Sequence, residues 1–426
     1  MARENTITGG RSATSAVIPG RWALSVGNPD RWTPSGFEWA RLTEIARLES
    51  GHTPSRRNSE YWGGDIPWIG IRDATSNHGR MIFETNQTIT QAGIENSSAR
   101  LLPAGTVCLS RTASVGYVVT MGVPMATSQD FVNWVCGPRI MSRYLHYILM
   151  AEQESIRRFA HGSVHNTVYY PEVKAFHVCI PQPQEQERIV ALLGALDDKI
   201  AVNDRIAATA LDLVSSLFAE SLAEDSDSSI TTLGDVTGIN IHKASPTSGG
   251  VIRYIDISSV SVDSYTWPEV TAWEEAPSRA RRKVSAGDVI WSTVRPNRKS
   301  RALILDDDSN IVASTGFAVL TPRKVGSAFL YEVTRRKEFV TYLESVAEGS
   351  AYPAVRADRF AKAVIPMLSR SRMVKFESEA MQLHHRIHVA NKENRFLAEL
   401  RDALLPKLMS GQVRIRDAEK VVEDAV

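Results

Sequence analysis

The sequence has few cysteines, and none is spaced for metal binding. Only three occur among the 426 residues, Cys108, Cys136 and Cys179, and no Cys-x-x-Cys pair is present. Each lies in an apolar or β-branched stretch, which favours a buried free thiol. A zinc site built from cysteine pairs is therefore excluded.

Long apolar runs and a strong net charge are also missing. No apolar run approaches the roughly 20 residues that span a bilayer. Residues 1–20 lack the charged-then-apolar order of a signal peptide, so we expect a cytoplasmic protein. The 49 Lys and Arg nearly balance the 48 Asp and Glu, for a net charge of +1. This balance neither indicates nor excludes nucleic-acid binding, because opposite charges can lie on different faces.

Signatures of catalysis are absent as well. There is no Walker-type phosphate loop, no His-Glu-x-x-His and no Asp-Pro-Pro-Tyr-like methyltransferase signature. His384, His385 and His388 lie on a predicted helix, but no third ligand is evident, so solvated or interface histidines are favoured over a metal site. We therefore expect no catalytic residue, metal or cofactor in this chain.

What the sequence does contain is an internal repeat with a period of roughly 185 residues, far longer than a solenoid unit. Similar segments occur in the same order in both halves. They are residues 42–46 and 233–237, 66–71 and 252–257, 103–110 and 285–292, 126–131 and 313–317, and 162–181 and 349–366. Val/Ile/Phe-rich runs between Gly, Pro and Asn predict strands in each half, and helices are predicted near 141–159 and 327–346. We interpret the repeat as a duplicated mixed α/β domain.

A segment of a different kind follows each half. Between residues 185 and 222, and again between 373 and 409, apolar residues recur at the heptad spacing of a coiled coil. The predicted core positions of this helix pair are Ile189, Leu196, Asn203, Ile206, Leu213, Leu217, Phe376, Leu383, Leu397 and Leu404. Helices of about 35 residues are roughly 50 Å long and suit an antiparallel pair. Asn203 either fixes the register of the pair or is a tolerated residue that leans toward the surface.

The predicted fold class is therefore a duplicated α/β (α+β) architecture. It has two globular domains separated by a pair of long antiparallel coiled-coil helices, with pseudo-two-fold symmetry. The predicted order is a disordered leader (1–36), a first domain (37–182), a first helix (183–224), a second domain (230–366), a second helix (367–412) and a tail (413–426). Such helices would hold the domains apart by more than one turn of B-DNA, about 34–36 Å. This spacing suits a split, asymmetric DNA target with an unread middle.

Candidate DNA-binding residues are those whose side chains suit bases or phosphates. Arg, Asn and Gln are typical base readers, whereas Lys, Arg and hydroxyl groups contact phosphates. The densest basic stretch surrounds a predicted hairpin at Pro296. The second-half candidates are Arg279, Arg281, Arg282, Lys283, Arg295, Asn297, Arg298, Lys299 and Arg301. The first-half candidates are Arg56, Arg57, Asn58, Arg111, Thr112, His161, Ser163, His165 and Asn166. For each of them the alternative is a solvated loop.

Five segments resemble parts of the specificity subunits of type I restriction–modification systems. SGHTPS at residues 50–55 and YWGGDIPWI at 61–69 resemble the opening of a target-recognition domain. IPQPQEQERIV at 180–190 and LDDKI at 196–200 resemble the first spacer helix, and LLPKLMSG at 404–411 resembles the close of the second. The resemblance spans about residues 37–415. The sequence departs from the family at 365–370, where IPMLSR replaces the Pro-rich Glu-Gln motif and alters the expected docking surface.

The resemblance implies a non-catalytic subunit that binds double-stranded DNA. Its implied partners are two methyltransferase subunits, which bind S-adenosylmethionine and methylate a flipped-out adenine, and two motor-nuclease subunits. Two alternatives remain: the specificity subunit of a methylation-only system, or a scaffold that joins two protein-binding domains and never meets DNA. Salt-sensitive binding to duplex DNA distinguishes the scaffold from the other two.

Overall fold

Two long helices run through a mixed α/β fold, and the boundary between its two units falls inside both. The computed structural model describes residues 17–30, 32–161, 166–246, 249–349 and 352–425. Unit 1 comprises residues 1–199 and 396–426, and unit 2 comprises residues 200–395. Each unit therefore contains a segment of each long helix.

The first part of the chain forms unit 1 and begins the first long helix. Its elements are β1 (Ile18–Pro19), β2 (Leu24–Val26), β3 (Phe37–Arg41), α1 (Leu42–Ile45), β4 (Ala46–Ser50), β5 (Trp62–Ile69), α2 (Ile71–Ser76), β6 (Arg80–Ile82), β7 (Gln87–Ile89), α3 (Gln91–Glu95), β8 (Val107–Ser110), β9 (Val118–Met121), β10 (Ala126–Thr127), β11 (Phe131–Cys136), α4 (Ser142–Ala151), α5 (Gln153–Phe159), α6 (Tyr170–Lys174), β12 (Phe176–Pro181) and α7 (Pro183–Ala223). The strand orders of its sheets are β1-β2-β12-β3, β10-β5-β7 and β4-β11-β8-β9-β6.

The next part forms unit 2 and contains most of the second long helix. Its elements are β13 (Ser229–Thr232), α8 (Leu233–Val236), β14 (Thr237–Ile239), β15 (Val251–Ile255), β16 (Val270–Ala272), β17 (Ala280–Lys283), β18 (Val289–Ser292), β19 (Arg301–Leu303), β20 (Ile311–Ser314), β21 (Phe317–Pro322), α9 (Ser327–Arg335), α10 (Lys337–Ser345), α11 (Ala357–Ala361), β22 (Val364–Met367) and α12 (Arg370–Met409). Its sheets have the orders β13-β22, β14-β21-β18-β19 and β16-β15-β20-β17. The chain ends with α13 (Ile415–Ala425), in unit 1.

The two units share an order of strand pairing. In unit 1, β11 lies between β4 and β8, and β5 pairs in parallel with β10. In unit 2, β21 lies between β14 and β18, and β15 pairs in parallel with β20. The turns before β8 and β18 also agree, because Gly105 and Gly287 have φ of +82° and +93°. Only glycine adopts this backbone conformation without strain.

Apolar side chains on both faces explain why the central strands are buried. Every residue of β8, β9, β18 and β20 is buried, which is the pattern of strands covered on two sides. In unit 1, α4 places Tyr144, Leu145, Tyr147 and Ile148 in the same apolar core as β8. This packing holds β8 in place, and with it the loop that follows the end of β8.

The two long helices contact each other in unit 2, and they run antiparallel there. Asn203 of α7 lies opposite Asn394 of α12, whereas Glu224 of α7 lies opposite Arg372 of α12. Asn203 is 1% exposed and donates hydrogen bonds from Nδ2 to Glu393 Oε2 at 2.7 Å and Asn394 Oδ1 at 3.0 Å. It is therefore a buried polar residue of the pair, and not one that leans toward the surface.

One of the predicted core positions of the helix pair is wrong. Ile189, Leu196, Phe376, Leu397 and Leu404 are buried. Ile206, Leu217 and Leu383 are partly buried. Leu213 is 47% exposed, and the neighbouring Val214 is fully buried in its place. In this part of α7 the core position is therefore Val214 and not Leu213, one residue later than the heptad spacing predicted.

The expected disordered leader is also corrected from residue 17 onward, whereas residues 1–16 lie outside the described residues. Strands β1 and β2 join the sheet of β12, and Ala23 and Leu24 are fully buried. The buried Glu152 carboxylate accepts the backbone N–H groups of Trp22 and Ala23, both at 2.6 Å. A buried carboxylate with such donors holds the segment in place. The predicted tail likewise contains a helix, α13, whose Ile415 and Ala418 are buried in unit 1.

By length and composition alone, α7 could cross a membrane. A single helix of this kind is weak support for a membrane span, because core helices share both properties. Ile189, Leu193, Val214 and Phe218 of α7 are buried among residues of their own units. Only 17% of the residues in its apolar 18-residue stretch are buried, so burial explains part of its apolar character.

Candidate nucleic-acid interface

In unit 1, a hairpin between β8 and β9 meets the segment that follows α5. We call residues 111–117 hairpin 1 and residues 161 and 166–169 segment 1. Thr112 and His161 both form antiparallel bridges with Thr167, and the backbone N–H of Ala113 donates to Asn166 O at 3.1 Å. The fold thus brings together four predicted residues, Arg111, Thr112, His161 and Asn166. Ser163 and His165 lie outside the described residues.

Arg111 is fixed at the base of hairpin 1. Its Nη2 donates to Gln129 O at 3.1 Å, and its guanidinium lies 4.8 Å from the ring centroid of Tyr170. The neighbouring loop is tied to the same place, because Thr53 Oγ1 donates to Gln129 Oε1. Arg111 therefore presents an oriented cation with part of its donor capacity already used. Thr53, Gln129 and Tyr170 were not predicted as site residues.

The predicted loop at residues 56–58 has two exposed arginines and one structural residue. The guanidinium of Arg56 lies 4.5 Å from the ring centroid of Trp62, and its Nη2 donates to Gln87 Oε1 at 3.1 Å. Arg57 is exposed. Asn58, by contrast, caps a short 3₁₀ helix, because its Oδ1 accepts the backbone N–H of Glu60 at 3.2 Å. Its oxygen thus has a local role.

Unit 2 repeats this arrangement with different side chains. We call residues 293–300 hairpin 2 and residues 348–349 and 352–356 segment 2. Val294 and Glu348 both form antiparallel bridges with Ala354, and the backbone N–H of Arg295 donates to Pro353 O at 2.7 Å. Ala113 and Arg295 both have left-handed φ, +61° and +52°. A left-handed residue other than glycine is uncommon and is found at functional sites.

Hairpin 2 carries its basic residues on a short helical turn. Pro296–Arg298 form a 3₁₀ helix, in which Pro296 is buried. Asn297, Arg298 and Lys299 are exposed around it. Proline suits the first position of such a turn because its φ is already fixed and it has no N–H to satisfy. The turn therefore projects three polar side chains from a rigid base.

A cleft of about 540 Å³ lies beside hairpin 2 within unit 2. Arg279, Arg295 and Arg298 line it, together with Tyr254, Asp256 and Tyr352. The guanidinium of Arg295 lies 4.5 Å from the ring centroid of Tyr352, whose side chain is 70% exposed. This combination of arginines, aromatic rings and one acid is the most chemically distinctive surface of unit 2.

The remaining basic residues of unit 2 fall into two groups. Arg281, Arg282 and Lys283 lie on β17, at the edge of its sheet, and Lys283 is exposed. Arg301 is 4% exposed, and its Nε lies 2.9 Å from Asp263 Oδ1. This ion pair occupies its guanidinium inside unit 2, which argues against the predicted contact between Arg301 and DNA.

The helix histidines do not form a metal site among the residues that the structure describes. No group of three or more His, Cys, Asp or Glu side chains is placed there to hold an ion. His384 is 3% exposed, and burial lowers its pKa to about 4. It packs edge-on against Tyr331, with 5.5 Å between ring centroids, so its contacts are those of a core residue.

Sequence reasoning missed the aromatic partners of the arginines. Tyr170 and Tyr352 each lie under a hairpin arginine, yet each follows a polar stretch with no periodicity. The signal that could have found them is the repeat itself. Both tyrosines come a few residues after the matched Gly-Ser pairs at 162–163 and 349–350.

Comparisons with known proteins agree with this fold. Residues 34–210 match the model of the type I restriction modification DNA specificity domain. The chain is 26% identical over 420 residues to the type I restriction enzyme MjaIX specificity subunit of Methanocaldococcus jannaschii, covering 90% of this chain and 95% of that one. It is 29% identical over 168 residues to the EcoR124I/EcoR124II specificity subunit of Escherichia coli, covering 38% and 41%.

A solved structure shares the fold over most of the chain. The crystal structure of a type I restriction–modification S subunit from M. genitalium superposes with a TM-score of 0.57 at 14% identity, covering 87% of this chain and 96% of that one. Residues 34–210 thus resemble a DNA specificity domain, and the superposition shows a shared fold. The chain is similar to type I specificity subunits over most of its length, and the resemblance found in its sequence is confirmed.

Proposed function

We propose that this chain reads an asymmetric, bipartite DNA target for a type I restriction–modification complex and performs no chemistry itself. Unit 1 would read one half-site and unit 2 the other. The observation that carries the proposal is the shared hairpin, in which Ala113 and Arg295 have the same left-handed backbone and the same type of bond to the facing segment. One scaffold with different exposed side chains suits two unlike half-sites.

The proposal includes a duplicated architecture. Its support is the common strand order of the units and the matched positions of Gly105 and Gly287. The long helices would form an antiparallel coiled coil with pseudo-two-fold symmetry and would set the number of unread base pairs. Helix α7 has 41 residues, or about 60 Å at 1.5 Å per residue, which exceeds the 34–36 Å turn of B-DNA.

The partners follow from the same proposal. Two methyltransferase subunits would supply S-adenosylmethionine and flip the target adenine into their own pockets, and two motor-nuclease subunits would cut unmodified DNA. The complex would act in the cytoplasm, where its DNA is. Residues 365–370 lack the Pro-rich Glu-Gln motif found at 181–187, so we expect the partner contacts at the starts of α7 and α12 to differ.

Sequencing of modified adenines in the host genome, with the gene intact and deleted, tests the proposal. We expect one bipartite motif with unlike halves that disappears on deletion. A single uninterrupted motif, a palindromic one or an unchanged methylome would overturn it.

A binding assay separates this function from a protein scaffold. The chain, reconstituted with its methyltransferase partner, should bind random duplex DNA with an affinity that falls steeply as salt rises. The partner without this chain is the matched control. Equal binding with and without the chain would favour the scaffold.

A further inference from the structure

The arginines of unit 2 differ in whether an acid neutralises them. Arg301 lies 2.9 Å from Asp263, Arg253 lies 2.8 Å from Asp308, and Arg395 lies 3.0 Å from Asp306. The Arg295 guanidinium has no ion pair and no hydrogen bond to any described residue; its one close partner is the Tyr352 ring. Among the described residues, none occupies its guanidinium N–H donors, so these can serve a ligand.

The backbone and the aromatic ring together orient Arg295. Its αL conformation is held by the 2.7 Å hydrogen bond from its N–H to Pro353 O, and buried Pro296 follows it in the chain. Stacking on Tyr352 restricts the rotamers of the Arg295 side chain before a ligand binds. Binding then costs less side-chain entropy. A planar guanidinium held in this way suits two parallel hydrogen bonds, as on guanine O6 and N7.

The acid in the cleft argues for a base edge and against a phosphate. Asp256 lines the same cleft as Arg295, and its Oδ1 already accepts Ser258 Oγ at 2.8 Å and Ser259 N at 2.9 Å. These bonds hold a carboxylate on the wall, where it would repel a phosphate. A carboxylate can instead accept the N4 amino group of cytosine, the partner base of guanine.

Building on the proposed function, we propose that Arg295 determines specificity for a G·C base pair in the half-site read by unit 2. Arg295 donates to guanine, and Tyr352 acts as a positioning residue through its ring. Unit 1 lacks this device, because Ala113 stands at the corresponding place and Arg111 is bonded to Gln129 O. The requirement for G·C is thus a property of one half-site.

The test is selection of binding sites from randomised duplexes by the complex reconstituted with its methyltransferase partner. Wild type should require guanine at one position of one half-site. R295A and R295K should lose that preference by about 5- to 100-fold and keep every other position. Lysine keeps the positive charge but lacks the planar, two-pronged guanidinium, so R295K separates base reading from general electrostatic attraction.

Y352F should behave as wild type, and Y352A should weaken the same preference. K324A, at an exposed lysine outside hairpin 2 and the cleft, should leave all preferences intact.

Several results would overturn this inference while leaving the proposed function in place. They are a wild-type bipartite target with no guanine requirement in the unit 2 half-site, a guanine preference that survives in both R295A and R295K, and a uniform loss across sequences in R295A with R295K like wild type. The last would mark a phosphate contact. If the wild-type complex selects no sequence at all, the proposed function itself fails.

Discussion

Asn203 and Glu393 meet in the interior of the helix pair, where Asn203 Nδ2 donates to Glu393 Oε2 at 2.7 Å. Asn394 completes the layer, since its Nδ2 donates to Asp204 Oδ1 at 2.8 Å. Buried amides of this kind stabilise one register of a helix pair, because any other leaves polar groups without partners.

Replacing Asn203 should therefore destabilise the protein. N203A removes two buried hydrogen bonds, one of them to a carboxylate, so we expect a loss of about 1–3 kcal/mol in the free energy of unfolding, measured by urea titration. V202A is the matched control, because Val202 is 48% exposed on the same helix. Equal midpoints for the two variants would show that the layer contributes nothing to stability.

The corrected core position in α7 gives a second prediction. Val214 is fully buried and Leu213 is 47% exposed, although leucine is the larger residue. V214A should cost about 1–3 kcal/mol, from lost apolar burial and the cavity left behind. L213A should change stability by no more than about 0.5 kcal/mol. Thermal unfolding of both variants decides between the two registers, and the heptad assignment would be right if L213A proved the more damaging.

Local pattern predicted much of the secondary structure and little of what depends on distant contacts. The helix predicted over 183–224 spans Pro183–Ala223. This prediction succeeded because the apolar periodicity and the prolines at the start of the helix are local features of the sequence. Spacing alone could not separate Leu213 from Val214, because both are apolar and adjacent. The order of residues 17–26 depends on Glu152, about 130 residues away, and no local signal marks that pairing.

The sequence predicted which types of residue the candidate site contains, but it did not predict which of them are exposed. Arg295 and Arg298 reach the cleft, whereas Arg301, three residues further on, points into unit 2. Its partner Asp263 is 38 residues earlier, in a stretch that shows nothing distinctive. The sequence therefore shows that basic residues are concentrated in and beside hairpin 2. Which of these arginines faces a ligand, and which forms an ion pair inside the protein, depends on the tertiary structure.

Buried His384 predicts how stability depends on pH. Burial, together with Arg335, lowers its pKa from 6.5 to about 4. Between these values the unfolded chain takes up a proton that the folded chain does not, so stability is lost as pH falls from about 6.5 toward 4. The loss from this group is about 1.4 kcal/mol per pH unit.

Two glutamine variants isolate this effect. H384Q cannot take up the proton, so its urea midpoint should fall less than that of wild type between pH 7.5 and pH 5. H385Q serves as the control, because His385 is exposed on the same helix, and it should keep the wild-type slope. Parallel pH profiles for wild type and H384Q would mean that the pKa of His384 is the same in the folded and the unfolded chain.

Arg301 and Arg298 should respond oppositely to the same substitution, because one arginine is used by the fold and the other is exposed. Arg301 shares Asp263 with Arg335, whose Nη2 lies 3.3 Å from Asp263 Oδ2, and Tyr331 OH donates to Asp263 at 2.8 Å. R301A removes one cation from this buried network and should cost about 3 kcal/mol in unfolding free energy.

R298A should change stability by no more than about 0.5 kcal/mol. In the reconstituted complex, R298A should weaken DNA binding. Urea titration and salt-dependent binding of both variants complete the comparison, and a stable R301A with weakened DNA binding would restore Arg301 to the interface.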